Sequence, residues 1–186
     1  SQDRLSAIGG RLGVAAPMIP ATISVASAFA SSLATSTASN ATECVLGMAS
    51  TAGLANGDIV EVTSGWGRLN KRVARLKAVV ANTSVTLEGI DTTSTTYFPI
   101  GTGIGSVRKV STWTTIDKIT AISSSGGDPI TVDYKYLDSD VRYQINDGFN
   151  ASSYTLTLDA DAIGGAGYTA MKSLTDVQTD TILRVT

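Results

Sequence analysis

Ile130-Thr131-Val132-Asp133-Tyr134-Lys135-Tyr136 alternates apolar and polar residues without a break. Successive side chains of a strand point to opposite faces, so the run predicts a strand with one dry and one wet face. Val141, Tyr143 and Ile145 repeat the pattern, and Tyr154, Leu156 and Leu158 alternate with Ser153, Thr155 and Thr157. Together they predict an antiparallel sheet solvated on one side, with Tyr134, Tyr136, Tyr143 and Tyr154 on core faces. The period then changes. Ile163, Ala166, Gly167, Ala170, Met171 and Leu174 fall at three-and-four spacing, which predicts a helix with Asp161 as N-cap and Thr175-Asp176 as its stop. Gly164, Gly165 and Gly167 weaken its first turn, so it relies on docking, with Ala170, Met171 and Leu174 expected against the Tyr154, Leu156 and Leu158 face. Thr181 to Val185 returns to strand chemistry.

Working outward, the quoted residues become Val110-Ser111-Thr112-Trp113-Thr114-Thr115-Ile116 leading into Ile119-Thr120-Ala121-Ile122, the Gly126-Gly127 turn, and Tyr154-Thr155-Leu156-Thr157-Leu158-Asp159-Ala160-Asp161 before the helix. This order resembles the tail tube (major tail) proteins of long-tailed bacterial viruses. The resemblance implies a small β-sandwich or half-barrel with one helix on its flank, assembled as stacked hexameric rings around a DNA channel. Such domains usually continue past the post-helix strand, whereas this sequence stops at Thr186. Either the chain is shortened or a neighbouring subunit supplies the missing sheet edge.

A chain of 186 residues buries about 70% of its extended surface, enough for one core or two small ones without a stabilising cofactor. Cys44 is the single cysteine, so no internal disulfide forms and the chain fits a reducing cytosol. There is no His, which removes Ser-His-Asp and Cys-His catalysis and imidazole-ligated zinc. Gly9-Gly10, Pro17 and Pro20 break any signal-peptide core, Ser1 reads as the residue left after the initiator Met, and no run approaches the roughly 20 apolar residues of a membrane span. The net charge of -2 hides a split. Residues 1–112 hold nine Lys/Arg against six Asp/Glu (+3), and residues 113–186 hold five against ten (-5), every one of the ten an Asp. Such asymmetry suggests oriented contacts, although Asp also crowds into turns.

Four segments follow. Residues 1–42, rich in Ala, Ser and Thr and charged only at Asp3, Arg4 and Arg11, read as an N-terminal arm. Within it Ile23-Ser24-Val25 is suited to adding a strand to another sheet, with Val14 and Phe29 as anchors. Residues 43–90 contain runs at 43–48, 58–62, 72–80 and 84–87, joined by turn residues such as Asn56-Gly57-Asp58, and predict a small SH3-like β-barrel unit. Leu69, Val73, Leu76 and Val80 also fit helical spacing, but Gly67 before them and the β-branched end favour a strand. Residues 91–109 read as a long loop or linker, and residues 110–186 as the tail-tube-like β-sandwich domain. The fold class is therefore all-β with one flanking α-helix.

Few residues invite chemistry. Gly101, Gly103 and Gly105 lack the Gly-x-Gly-x-x-Gly spacing of a dinucleotide loop and read as a flexible turn. Asp138-Ser139-Asp140 and Asp159-Ala160-Asp161 do not continue into a calcium loop, and strand-end turns and a helix cap account for them. Arg68, Lys71, Arg72, Arg75 and Lys77 form the densest basic cluster, with only Trp66 nearby to stack a base, so a solvated face or subunit contact is favoured over nucleic acid.

No enzyme activity, cofactor, metal or membrane insertion is expected. What the resemblance implies is a structural subunit of the virion tail, assembled in the host cytoplasm. Its partners would be further copies of itself, tape measure and tail terminator or tail tip proteins, and DNA in transit without sequence-specific binding. Asp117, Asp133 and Asp138 are the lumen candidates, since like charge lets a polyanion slide. Ile23, Val25, Arg72, Arg75, Phe98, Ile100 and Ile104 are the subunit-contact candidates. The rival is a viral adhesin or carbohydrate-binding β-sandwich module, which would show an exposed aromatic cluster.

Overall fold

Of the runs that alternate most cleanly, Ser153–Leu158 forms a strand with the expected bounds, while the strand expected at Ile130–Tyr136 stops at Tyr134 and the one expected from Val141 starts at Tyr143. The computed structural model describes residues 22–186 and divides into two units, residues 22–115 with 170–186, and residues 116–169. Among the described residues the regular structure is mostly strand, with one α-helix, α1 (Ala166–Asp176). The expected anchor Val14 lies outside the described residues.

In the first unit the order is β1 (Ile23–Phe29), β2 (Leu33–Ala34), β3 (Thr37–Ala38), β4 (Val45–Gly47), β5 (Ile59–Ser64), β6 (Arg72–Val80), β7 (Ser84–Leu87), β8 (Gly105–Ile116) and, at the far end of the chain, β13 (Leu183–Val185). They make one nine-stranded sheet in the order β13-β1-β8-β5-β6-β7-β4-β3, with β2 paired to β8. Arg72–Val80 is a strand, as its β-branched end demands, and a turn through Trp66 and Leu69 delivers it. Leu46 of β4 and Val107 of β8 share one core cluster although β5, β6 and β7 stand between their strands. The sheet therefore curls until its own face becomes its core.

Three expectations are corrected here. The sheet has two ends and is not a closed SH3-like barrel, because β8 continues it towards β1 and β13 instead of pairing back onto β3. Residues 22–42 are not a separate arm: Ile23-Ser24-Val25 adds the expected strand, but as β1 between β8 and β13, with Ile23, Val25 and Ala26 buried. The segment 91–109 is built into the core: Thr92 is buried, donating its hydroxyl to Ser39 O at 2.7 Å, and Asn40 Nδ2 donates to Thr92 O at 2.9 Å and Phe98 O at 2.8 Å.

The second unit contains β9 (Ile119–Ser125), β10 (Pro129–Tyr134), β11 (Tyr143–Phe149) and β12 (Ser153–Leu158) as two antiparallel two-stranded sheets, β10-β11 and β9-β12. Gly126 and Gly127, with φ of 89° and 80°, make the predicted turn. A 3-10 turn at Ala160–Ala162 precedes α1, and its cap is Asp159, whose carboxylate accepts from Asp161 N at 3.0 Å. Asp161 is thus inside that turn and not the N-cap of α1, because the Gly164-Gly165 pair postpones the helix to Ala166. Tyr154 is exposed, which removes it from the covered face expected to receive the helix.

Candidate assembly surfaces

The basic cluster is largely neutralised by its own unit. Lys77 Nζ lies 2.6 Å from Glu43 Oε2, Arg75 Nε 3.5 Å from Glu88, and Lys71 Nζ 3.5 Å from Glu61 and 3.9 Å from Asp180. The hydrogen bond from Lys77 holds the Glu43 carboxyl below its ordinary value, and the same bond raises Lys77. Arg68 instead stacks on Tyr97, 3.6 Å from the ring centre. Arg72 is exposed and, among the described residues, in no ion pair. A chain of cations already matched with carboxylates offers little to phosphates, which need free Lys and Arg to displace counterions. Of the two arginines proposed for subunit contact, only Arg72 has a free head group.

Beside this strand the segment from Tyr97 to Ile104 is braced from beneath. Phe98 is buried and meets Trp66 edge-on at 5.2 Å, while Trp66 Nε1 donates to Pro99 O at 2.7 Å. A side chain on Gly103 would come within 2.6 Å of Trp66 Cε2, and one on Gly105 would strike the carbonyl of Thr63. These two glycines permit close packing, so the flexible-turn reading is corrected for them; only Gly101, with φ 81°, needs glycine for its backbone. Phe98 faces its own core and is withdrawn as an exposed contact, and so are Ile23 and Val25. Ile100 is 77% exposed, and Ile104 and Tyr97 are exposed beside it on the same braced segment.

The second unit is where the sequence misled most. Val132 pairs with Ile145 and Tyr134 with Tyr143, so all four share one face of the β10-β11 hairpin, with Ile130 continuing it. Thr131, Asp133, Gln144 and Asn146 occupy the other. The alternation is as expected, yet the dry face is not covered: Val132 is 54%, Ile145 57% and Tyr136 57% exposed. Tyr134, Tyr136 and Tyr143 cluster at 5.4 to 5.7 Å between ring centres. Two strands cannot make a core, because a lone hairpin has nothing to lay on its apolar side. Period two reports which residues share a face; it says nothing of what covers that face.

Asp117, Asp133 and Asp138 are all exposed, and among the described residues none is ion-paired. Residues 116–169 carry eight Asp against Lys118, Lys135 and Arg142, a net -5. Among the described residues no group of acidic, Cys or His side chains is arranged for a metal ion, and no helix is long and apolar enough to cross a membrane. Cys44 is fully buried, and burial raises its thiol pKa.

A family model described as phage tail tube protein, TTP, matches residues 64–186. No curated protein and no solved structure matches the chain.

Proposed function

The chain belongs to the phage tail tube protein family, a structural component of the virion tail, and from that premise we propose that it assembles with copies of itself into stacked hexameric rings that enclose a channel for DNA delivery. The observation that supports this reading beyond the family match is the exposed apolar face of the β10-β11 hairpin, a contiguous apolar patch of the kind that marks a protein–protein contact. Rings arise when one patch of a subunit binds a different patch of the next and the rotation closes. The -5 charge of residues 116–169 suits a channel wall that a polyanion must pass, with Asp117, Asp133 and Asp138 as the lumen residues. The role is mechanical, not enzymatic, and the partners beyond itself are the tape measure and the tail terminator or tail tip proteins. Assembly takes place in the host cytoplasm.

Electron microscopy of the purified chain tests this: tubes or six-fold rings are expected, and particles of another symmetry overturn the hexamer. The tyrosine cluster supports a second reading, carbohydrate binding, because sugars stack on exposed aromatic rings. A monomer that binds glycans and loses them on Tyr136→Ala would replace the first reading.

A further inference from the structure

Resting on the tail tube reading, we infer that the apolar face of the β10-β11 hairpin is seated on the Tyr97–Ile104 segment of a second copy of this chain. The two surfaces match in kind. One presents Val132, Tyr134 and Ile145 on a two-stranded sheet whose other face is polar. The other presents Tyr97, Ile100 and Ile104 on a segment that Trp66 and Phe98 hold rigid, so little ordering entropy is lost on docking.

Charge decides between this pairing and the alternative in which two hairpins close face to face. Face-to-face contact would bring two units of net -5 together, the hairpin turn itself being balanced by Lys135 and Arg142 against Asp138 and Asp140. The unit holding the Tyr97–Ile104 segment is net +2 over residues 22–115 and 170–186, nine cations against seven anions, and Arg68, stacked on Tyr97 of that segment, has no carboxylate partner among the described residues. Opposite potentials favour unlike patches and oppose like ones. The geometry of unlike patches has a further result: each copy keeps one of each free after binding, so association propagates instead of stopping at a dimer. With its apolar side on the neighbour, the hairpin turns Asp133 to the opposite side, towards water.

The experiment compares wild-type chain with Val132→Ser/Ile145→Ser and, reciprocally, Ile100→Ser, all exposed positions. Melting curves of the isolated chains are expected to coincide, while tube yield by microscopy falls at least tenfold in both variants. Independently, a photo-reactive benzophenone side chain in place of Tyr136 in otherwise wild-type chain is expected to cross-link to residues 94–104 of another copy, identified by mass spectrometry. Normal tubes from the variants, or cross-links from hairpin to hairpin, overturn this contact and leave the tail tube reading standing. Wild-type chain that never associates overturns the tail tube reading and this contact with it.

Discussion

Arg108 holds Glu61 from two nitrogens at once, with Nε 3.0 Å and Nη2 2.6 Å from the same Oε2, while the Phe29 ring lies 4.2 Å from the guanidinium carbon. Glu61 is in β5 directly opposite Arg108 in β8, and its side chain is only 8% exposed. Two hydrogen bonds from the guanidinium replace the water that burial denies the carboxylate. Arg108→Ala leaves Lys71, 3.5 Å away, as the one remaining cation on Glu61 among the described residues, and is expected to destabilise the first unit by about 3 kcal/mol in a urea melt. Glu61→Met with Arg108→Met is expected to recover most of that loss, since an apolar pair carries no desolvation penalty.

Gly103 gives a steric test. Gly103→Ala places a methyl against the Trp66 ring and the Ala38 side chain, and is expected to cost about 1–3 kcal/mol. Trp66 fluorescence should shift to longer wavelength as the ring is pushed towards water. Gly67→Ala, with open space around it, is the control and should leave the emission unchanged.

Acid should uncouple the Glu43–Lys77 pair. Glu43 has its folded-state pKa below the unfolded value, so the pair's contribution is present above the carboxylate range and lost as pH falls through the folded value. The melting temperature of Lys77→Met is therefore expected to lie below wild type at pH 7, with the gap closing as the pH drops below about 4.3. A gap that persists in strong acid would assign the effect to packing of the lysine stem.

Lumen charge is tested by Asp133→Lys with Asp138→Lys. Both residues are exposed and among the described residues neither is ion-paired, so tubes are expected to form normally. DNA delivery from the resulting particles should slow, most at low salt, because new lysines bind passing phosphates. Equal delivery rates at low salt would place these residues away from the channel.

Much of the strand content was legible because alternation reports local backbone directly: Arg72–Val80, Ser84–Leu87 and Ser153–Leu158 begin and end where their side-chain pattern does. Glu61 was not. Between Val60 and Val62 it reads as the wet position of a half-buried strand, and it is buried because Arg108 and Lys71 lie over it, although Thr63 on the same face is exposed. The strand at Ile23–Val25 was readable, but its place between β8 and β13 was hidden, since pairings across some 160 residues leave no periodic trace. The family likeness was carried by element order over the C-terminal part. The assembly face was visible only as a dry stripe, and its lack of cover became apparent with the neighbours in place.

The pairing of β1 with β13 sets a clock on synthesis. Thr22 and Thr186 exchange two backbone hydrogen bonds, at 2.8 and 3.0 Å, so β1 waits for a partner strand made some 160 residues later. Until they emerge, β1 presents a bare row of amides and carbonyls on the side away from β8, and a crowded polysome offers it many identical edges. A subunit produced in bulk is therefore most vulnerable between the emergence of β1 and that of β13, and slow translation over that interval is when mispairing between nascent chains is to be expected.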